Sequence, residues 1–290
     1  MTKKTLFVAI CGKPNVGKST ILNAFLQEKL SIVSPKVQTT RNAIRGIITK
    51  GDTQIIFVDT PGILTSPKGK LQSVITKNAW NALNDVDIAC VVIDSAKGVG
   101  RDAEKICTYI KSKVPNVICI LNKIDAVDHS EQNLKNAQKI WDMGIFTEIF
   151  PISARKNKGL DAVEEYLIKN AKEVEEWFYQ EDDLTDKSNN FITSEATREA
   201  IFMKLDQELP YSISVETDVF SDNGGMINVS QSVILLREAH KKIVIGGHGS
   251  MIKAIRLSAE DKLSKFYNKP VELDIMVKIR ENWVENCMPD

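Results

Sequence analysis

Histidine is scarce in this chain: three residues in 290, His129, His240 and His248, and they form no metal-ligating or acid–base cluster. Cysteine is little richer. The five thiols (Cys11, Cys90, Cys107, Cys119, Cys287) are scattered, mostly inside apolar runs, with no C-x-x-C pair. That pattern argues against zinc or a disulfide framework and reads as core thiols in a reducing cytoplasm. No apolar run reaches the roughly 20 residues that cross a bilayer. The N-terminal MTKKTLFVAICG leads straight into GKPNVGKST, so it reads as a buried strand rather than a secretory signal. Net charge is missing too, with 38 basic and 38 acidic residues. Bulk electrostatics therefore draws no polyanion, and a nucleic-acid surface has to be local.

What is present is the composition of a folded protein, 43% hydrophobic and 26% charged, at a length that allows one large domain or two ordinary ones. From Leu6 to about Asn170, apolar strands (LFVAIC, AIRGIIT, QIIFVD, IACVVID, NVICILN, EIFPIS) alternate with helical segments such as AEKICTYIKSK and LKNAQKIWDMG. The alternation predicts βαβ units and a largely parallel sheet covered on both faces. The acidic stretch KEVEEWFYQEDDLTDKSNN then reads as the boundary, giving domains at 1–172 and 192–290 with a linker at 173–191. Beyond it the order becomes α-β-β-α-α-β. TSEATREAIFMKLDQEL is a helix with Ile201, Leu205 and Leu209 on one face; YSISVETDVF is a strand with Tyr211, Ile213, Val215 and Val219 on one side. SDNGG turns the chain into MINVSQSVILLRE. EAHKKIVIG, the GGHG turn, a helix from about Ser250 to Tyr267 and the strand VELDIMVKI complete the chain.

Two glycine-rich turns stand out. The first, Gly12-Lys13-Pro14-Asn15-Val16-Gly17-Lys18-Ser19, follows the strand LFVAIC and precedes the helix TILNAFLQ, beginning at Thr20, as a phosphate-binding P-loop requires. Its glycines let successive amides turn toward a β-phosphate; Lys18 reaches the β- and γ-phosphates, and the Ser19 hydroxyl ligates Mg²⁺. The base is indicated by Asn122-Lys123-Ile124-Asp125 at the end of NVICIL. An ionised Asp125 accepts from both N–H donors on guanine's Watson–Crick edge, where adenine would leave a lone pair unmatched. Asn122 is placed either to bond the base or to brace the P-loop, and the stem of Lys123 can lie over the ring. Ser153-Ala154 offers a backbone amide to the guanine oxygen. Asp59-Thr60-Pro61-Gly62 ends the strand QIIFVD, putting Asp59 at the hydrated Mg²⁺ and the Gly62 amide at the γ-phosphate. In VQTTRNAI, Thr39 or Thr40 closes onto Mg²⁺ and the γ-phosphate, with Thr40 favoured. Loss of these contacts on hydrolysis would relax both loops.

The motifs GKPNVGKS, QTTR, DTPG, NKID and the SA turn, followed by an α-β-β-α-α-β domain with a G-x-x-G turn, resemble the Era family of bacterial GTPases over essentially the whole chain. The resemblance implies a Ras-like P-loop GTPase domain of α/β class followed by a smaller α+β type II KH domain. It implies GTP and GDP as ligands, Mg²⁺ held by Ser19, Thr40 and Asp59, and hydrolysis carried by Lys18, Thr40, Asp59 and Gly62. It further implies binding near the 3′ end of small-subunit ribosomal RNA and assistance to assembly of the small ribosomal subunit. A cytoplasmic, monomeric protein is expected, and some members of the family associate peripherally with the inner membrane. Ile63 stands where many GTPases carry a glutamine that orients the attacking water, a replacement shared with Era-like GTPases. Asn15 matches those relatives in which K⁺ stands where an arginine finger would sit.

The second turn, Gly246-Gly247-His248-Gly249, lacks a following Lys-Ser pair, so its amides are expected to meet an RNA backbone rather than a nucleotide. Its middle residues depart from the basic residue often found in KH domains, since a histidine with an unperturbed pKa near ~6.5 is mostly neutral. Local charge compensates: Arg237 to Lys269 holds eight basic residues against three acidic ones, and Lys241, Lys242, Lys253 and Arg256 flank the turn. Trp283 is placed either to stack on a base or to pack the domain's edge. Two readings of other classes compete with the GTPase. A passive RNA-binding adaptor would have a purely structural nucleotide site. A membrane-signalling GTPase would need a lipidation signal or basic amphipathic helix that the sequence does not display.

Overall fold

The computed structural model describes residues 2–34, 36, 39–67, 69–126, 130–206 and 209–280; His129, Trp283 and Cys287 lie outside them. The chain divides into two compact units, Met1–Ser31 with Thr40–Asp186, and Ile32–Thr39 with Lys187–Asp290.

The first unit runs β1 (Lys3–Cys11), α1 (Lys18–Leu26), β2 (Ile44–Lys50), β3 (Thr53–Asp59), α2 (Gly69–Asn81), β4 (Ile88–Asp94), α3 (Arg101–Lys113), β5 (Asn116–Asn122), α4 (Ser130–Trp141), β6 (Ile149–Pro151), α5 (Leu160–Lys169) and β7 (Lys172–Val174). The sheet order is β2-β3-β1-β4-β5-β6. Neighbours from β3 to β6 are parallel, while β2 returns antiparallel beside β3. Every residue of β3 and β4 is buried, as expected of central strands covered on both faces. Helix α3 turns Ile106, Cys107 and Ile110 inward, and its Asp102 and Glu104 at the start and Lys111 and Lys113 at the end match the helix dipole. Each fully buried Ile or Leu stabilises the fold by ~1.5–3 kcal/mol. The thiols of Cys11, Cys90, Cys107 and Cys119 belong to this interior, and burial pushes that of Cys107 up to about 12.

The acidic stretch is not a linker from Glu173 onward. Strand β7 pairs antiparallel with Lys3–Thr5 of β1. Tyr179 exchanges hydrogen bonds with the Gln54 side chain (3.1 and 3.0 Å), Trp177 Nε1 donates to Asp52 O, and Ile47 N donates to Leu184 O. Backbone pairing, the Tyr179 backbone bonds to Gln54 and the Trp177 ring nitrogen on Asp52 make these residues a strap on the first unit.

The second unit runs α6 (Asn189–Lys204), β8 (Ile213–Asp222), β9 (Ile227–Leu235), α7 (Glu238–Ile245), α8 (Ser250–Tyr267) and β10 (Val271–Ile279). Ser188 caps α6 by accepting from Phe191 N. The helix stops at Lys204, so Leu205 caps it with extended backbone and Leu209 opens a separate turn, instead of sharing a helical face with Ile201. The sheet order is β10-β9-β8, with β9 antiparallel to β8 and parallel to β10. Ala200, Ile213, Val233, Ile255 and Leu273 fill the core between sheet and helices. Val219 does not face that core. A bulge between Thr217 and Val219 inserts Asp218, pairs Val219 with Ser230 and leaves Val219 53% exposed, while Phe220 takes the inward position. Within this unit Val33 N donates to Glu199 Oε1 (3.1 Å) and Arg198 donates to the Thr39 carbonyl.

Candidate functional site

Strands β1, β3, β4 and β5 end along one edge of the first unit's sheet, and their register sets Ile10 beside Asp59 and Asp94 beside Asn122. This is where an open parallel sheet offers a ligand crevice. The turn after β1 needs its glycines. Gly12 has φ +142°, and a Cβ there would lie 2.6 Å from the Val92 carbonyl oxygen; at Gly17, φ +102°, it would lie 2.3 Å from Asn122 Nδ2. Helix α1 begins at the next residue, directing its N-terminal amides at the enclosed space.

Lys18 is 7% exposed and donates to the Lys13 carbonyl at 2.9 Å and the Gly12 carbonyl at 3.4 Å. Burial holds its ammonium below the ordinary lysine value, against the pull of Asp59. Ser19 Oγ donates to Asp59 Oδ2 (2.8 Å) and lies 3.2 Å from Thr40 Oγ1. Three residues called from three separate motifs therefore meet. Burial pushes the Asp59 carboxyl up, opposed by Lys18 and by neighbouring hydroxyls. Its Oδ1 is buried with no hydrogen-bond partner among the described residues. A buried, unpartnered carboxylate oxygen beside two hydroxyls suits a hard dication, so Mg²⁺ fits this donor set.

The segment after Asp59 is pinned to the P-loop. Thr60 donates through both N and Oγ1 to the Ile10 carbonyl (3.1 and 3.0 Å), and Ile63 N donates to the Gly12 carbonyl (3.1 Å). Pro61 and Gly62 are buried, and a Cβ on Gly62 would meet Pro14 Cγ at 2.7 Å. Ile63 is fully buried in the apolar cluster of Cys11, Val91, Ile106 and Cys107, so it presents no polar group to a water.

At the base end, the Asn122 side chain makes the bonds of a brace. Its Nδ2 donates to the Val16 carbonyl (2.9 Å) and its Oδ1 accepts from Ala154 N (3.1 Å). Asn122 is a brace; being 2% exposed, it needs both ends satisfied. Of the two backbone amides in Ser153-Ala154, that of Ala154 meets Asn122 and that of Ser153 donates to the Lys158 carbonyl at 3.0 Å. Ser153 contributes through its side chain: Oγ donates to Asp125 Oδ1 at 2.6 Å. This bond, with Lys156 and Arg155 nearby, holds the Asp125 carboxyl below the usual range. Lys123, at φ +66°, donates to the Asn15 carbonyl (2.6 Å) and to Asp94 Oδ2 (2.8 Å). Sequence reasoning missed Asp94; its signal is a carboxylate ending a fully apolar strand.

In the second unit, Gly246 (φ +75°), His248 (φ +49°) and Gly249 (φ +77°) form the α7–α8 turn. A Cβ on Gly246 would lie 2.7 Å from Met251 N, whereas Gly247 faces open space. Gly247, His248, Lys242 and Lys253 are exposed. The surrounding positive charge is thinner than the sequence count suggests. Lys241 pairs with Glu238, Arg256 with Glu260, Lys262 with Glu199, Lys265 with Asp261 and Lys269 with Asp222. Two of those carboxylates, Glu199 and Asp222, come from elsewhere in the unit. Lys242 and Lys253 have no carboxylate partner among the described residues and stand on either side of the turn.

Fold and site together define a P-loop GTPase joined to a KH domain. A family model described as 50S ribosome-binding GTPase matches residues 7–123, and a KH domain model matches residues 208–284. GTPase Era of Rickettsia bellii (strain OSU 85-389) is 41% identical, with 99% of this chain and 97% of the relative covered. That of Rhizobium meliloti (strain 1021) is 40% identical, over 96% and 88%. A solved structure of an Aquifex aeolicus Era variant bound to GDP·AlF4⁻ superposes with a TM-score of 0.91 at 35% identity, covering 98% of this chain and 96% of that one. Era in complex with MgGDPNP and nucleotides 1506–1542 of 16S ribosomal RNA gives 0.91 at 34% identity, with the same coverage. The chain belongs to the Era family of GTPases.

Proposed function

We propose that this chain is a GTP-driven switch that binds small-subunit ribosomal RNA near its 3′ end through the turn at Gly246–Gly249 and assists assembly of the small ribosomal subunit. The observation that carries the switch is the convergence of Ser19, Thr40 and Asp59 around the unpartnered Asp59 Oδ1. Mg²⁺ held there would neutralise charge on the β- and γ-phosphates. Lys18 and the P-loop amides orient the phosphates, and Asp125 with Lys123 selects and holds guanine. Thr40 responds to the γ-phosphate. A solely structural nucleotide site has no need of that convergence. Because the Ile63 side chain supplies no hydrogen bond to water, charge neutralisation carries more of the hydrolysis, and K⁺ beside Asn15 is part of this reading.

The RNA role is supported by the exposed turn with Lys242 and Lys253 beside it, and by the likeness to an Era chain solved with a 16S ribosomal RNA fragment. The same reading takes the protein to be a cytoplasmic monomer, with peripheral contact to the inner membrane as in some members of its family. No described helix is long and apolar enough to cross a membrane. The test is crosslinking of the purified protein to small ribosomal subunits with GTP or GDP bound. Crosslinks from residues 241–256 to the 3′ end of the RNA that differ between nucleotides are expected; nucleotide-independent crosslinks elsewhere would overturn the reading.

A further inference from the structure

The turn after β4 carries Asp94, and it is held by α4, a helix that contains none of the motifs. Asp94 folds the turn around itself: its carbonyl accepts from Lys97 N (3.1 Å) and Gly98 N (2.9 Å), and its Oδ1 accepts from Ala96 N (3.0 Å). Two side chains one helical turn apart on α4 then close on it. Asn136 Nδ2 donates to the Ser95 carbonyl at 2.6 Å, and Lys139 Nζ donates to the Val99 carbonyl at 2.9 Å. The approach is close enough to require glycine: Gly98 has φ +61°, and a Cβ there would lie 2.9 Å from Asn136 Oδ1. Ser95 is fully buried, and its N donates to the Asn122 carbonyl at 2.8 Å. The residue gripped by Asn136 is thus the one that meets the guanine motif. Ile140 and Ala137 anchor α4 in the apolar cluster of Val91 and Leu121.

We propose that Asn136 is a positioning residue of the guanine site, acting through the Asp94 turn on Lys123. Asp94 points its two oxygens in fixed directions, Oδ1 at the Ala96 amide and Oδ2 at the Lys123 ammonium (2.8 Å). Those directions hold only while the backbone beside Asp94 stays in place, and Asn136 fastens that backbone at the next residue. Removing the donor leaves the carbonyl of a buried residue unmatched and frees the turn to shift. Lys123 also donates to the Asn15 carbonyl, so a shifted turn reaches the lysine stem that lies over the base and its link to the P-loop. Asn136 therefore supports the residue that supports the ligand contact. The inference rests on the guanine reading of Asn122 to Asp125 and deepens it.

The test is a double-mutant cycle read by release of N-methylanthraniloyl-GDP from full-length wild type, Asp94→Asn, Asn136→Ala and the double variant. Asn136→Ala is expected to release the nucleotide about fivefold faster, the loss of roughly one neutral hydrogen bond. In the Asp94→Asn background the same change should add less than about twofold, because the route to Lys123 is already cut. A merely structural role would add its full effect in both backgrounds, and that additivity would overturn the assignment, as would wild-type release from Asn136→Ala. If the alanine variant does not fold, Asn136→Leu keeps much of the side-chain volume without the donor and enters the same cycle. Wild-type protein that holds N-methylanthraniloyl-ADP as long as the guanine nucleotide would instead bring down the underlying guanine reading.

Discussion

Asp94 and Lys123 grip each other across the ends of two adjacent strands, Oδ2 to Nζ at 2.8 Å, with the carboxylate side chain 5% exposed and the lysine 36%. The other Asp94 oxygen accepts from Ala96 N, and Lys123 also donates to the Asn15 carbonyl of the P-loop. One carboxylate thereby positions the lysine that links the base-recognition turn to the phosphate turn. Replacing Asp94 with asparagine removes the charge and keeps the shape. GDP affinity should fall by about tenfold, ~1.4 kcal/mol, allowing for the partial exposure of Lys123. Titration calorimetry checks this, and unchanged affinity would mean that Lys123 is held without Asp94.

Guanine selection should follow Asp125. Asp125→Asn exchanges an acceptor of two bonds for an amide, so GTP affinity should fall by ~2–3 kcal/mol. The amide can be turned to match the carbonyl of xanthine, so XTP should gain relative to GTP. Competition binding with both nucleotides measures the ratio; wild-type GTP affinity in the variant would remove Asp125 from base recognition.

The Ser153 bond to Asp125 gives a pH signature. The hydroxyl stabilises the carboxylate, so the folded pKa is depressed. The binding form is therefore fully present above the ordinary aspartate value and is lost only as pH falls through the depressed one. Ser153→Ala removes the largest cause of the depression, so GDP binding should fail at a higher pH than in wild type. Coincident acid limbs in the two binding–pH profiles would contradict this.

Hydrolysis should depend on the monovalent cation. With Ile63 buried among Cys11, Val91 and Ile106, no side chain at that position orients water. Turnover of GTP should slow severalfold when Na⁺ replaces K⁺ at constant ionic strength. Equal rates would remove K⁺ from the site at Asn15 and leave the GTPase itself untouched.

The P-loop, the guanine motif and the α-β-β-α-α-β order were legible because each is a contiguous pattern whose local conformation its own residues fix. Asp94 and the Ser153 side chain were not, because each gains its role from a partner distant in the chain, Lys123 and Asp125, that folding brings close. The Asp218 bulge reversed Val219 with no mark in the alternation of YSISVETDVF. The strap after Glu173 read as a linker because its acidic surface hid the backbone pairing with β1. Charge counted along the chain overstated the field at the second turn, since Glu199 and Asp222 approach Lys262 and Lys269 only in the folded unit.

The central claim is that the two glycine turns serve different phosphates, one a nucleotide's and the other an RNA backbone's. The direct measurement pairs Gly247→Asp with His248→Asp in one chain and follows RNA binding and GTP hydrolysis in the same preparation. Gly247 faces open space and His248 is exposed, so the fold should tolerate the change while negative charge is set against phosphate. Affinity for the 3′ end of small-subunit ribosomal RNA should fall by more than about tenfold, with GTP affinity and intrinsic hydrolysis at wild-type values. RNA binding at unchanged affinity and salt dependence, or loss of GTP hydrolysis together with RNA binding, would contradict the account.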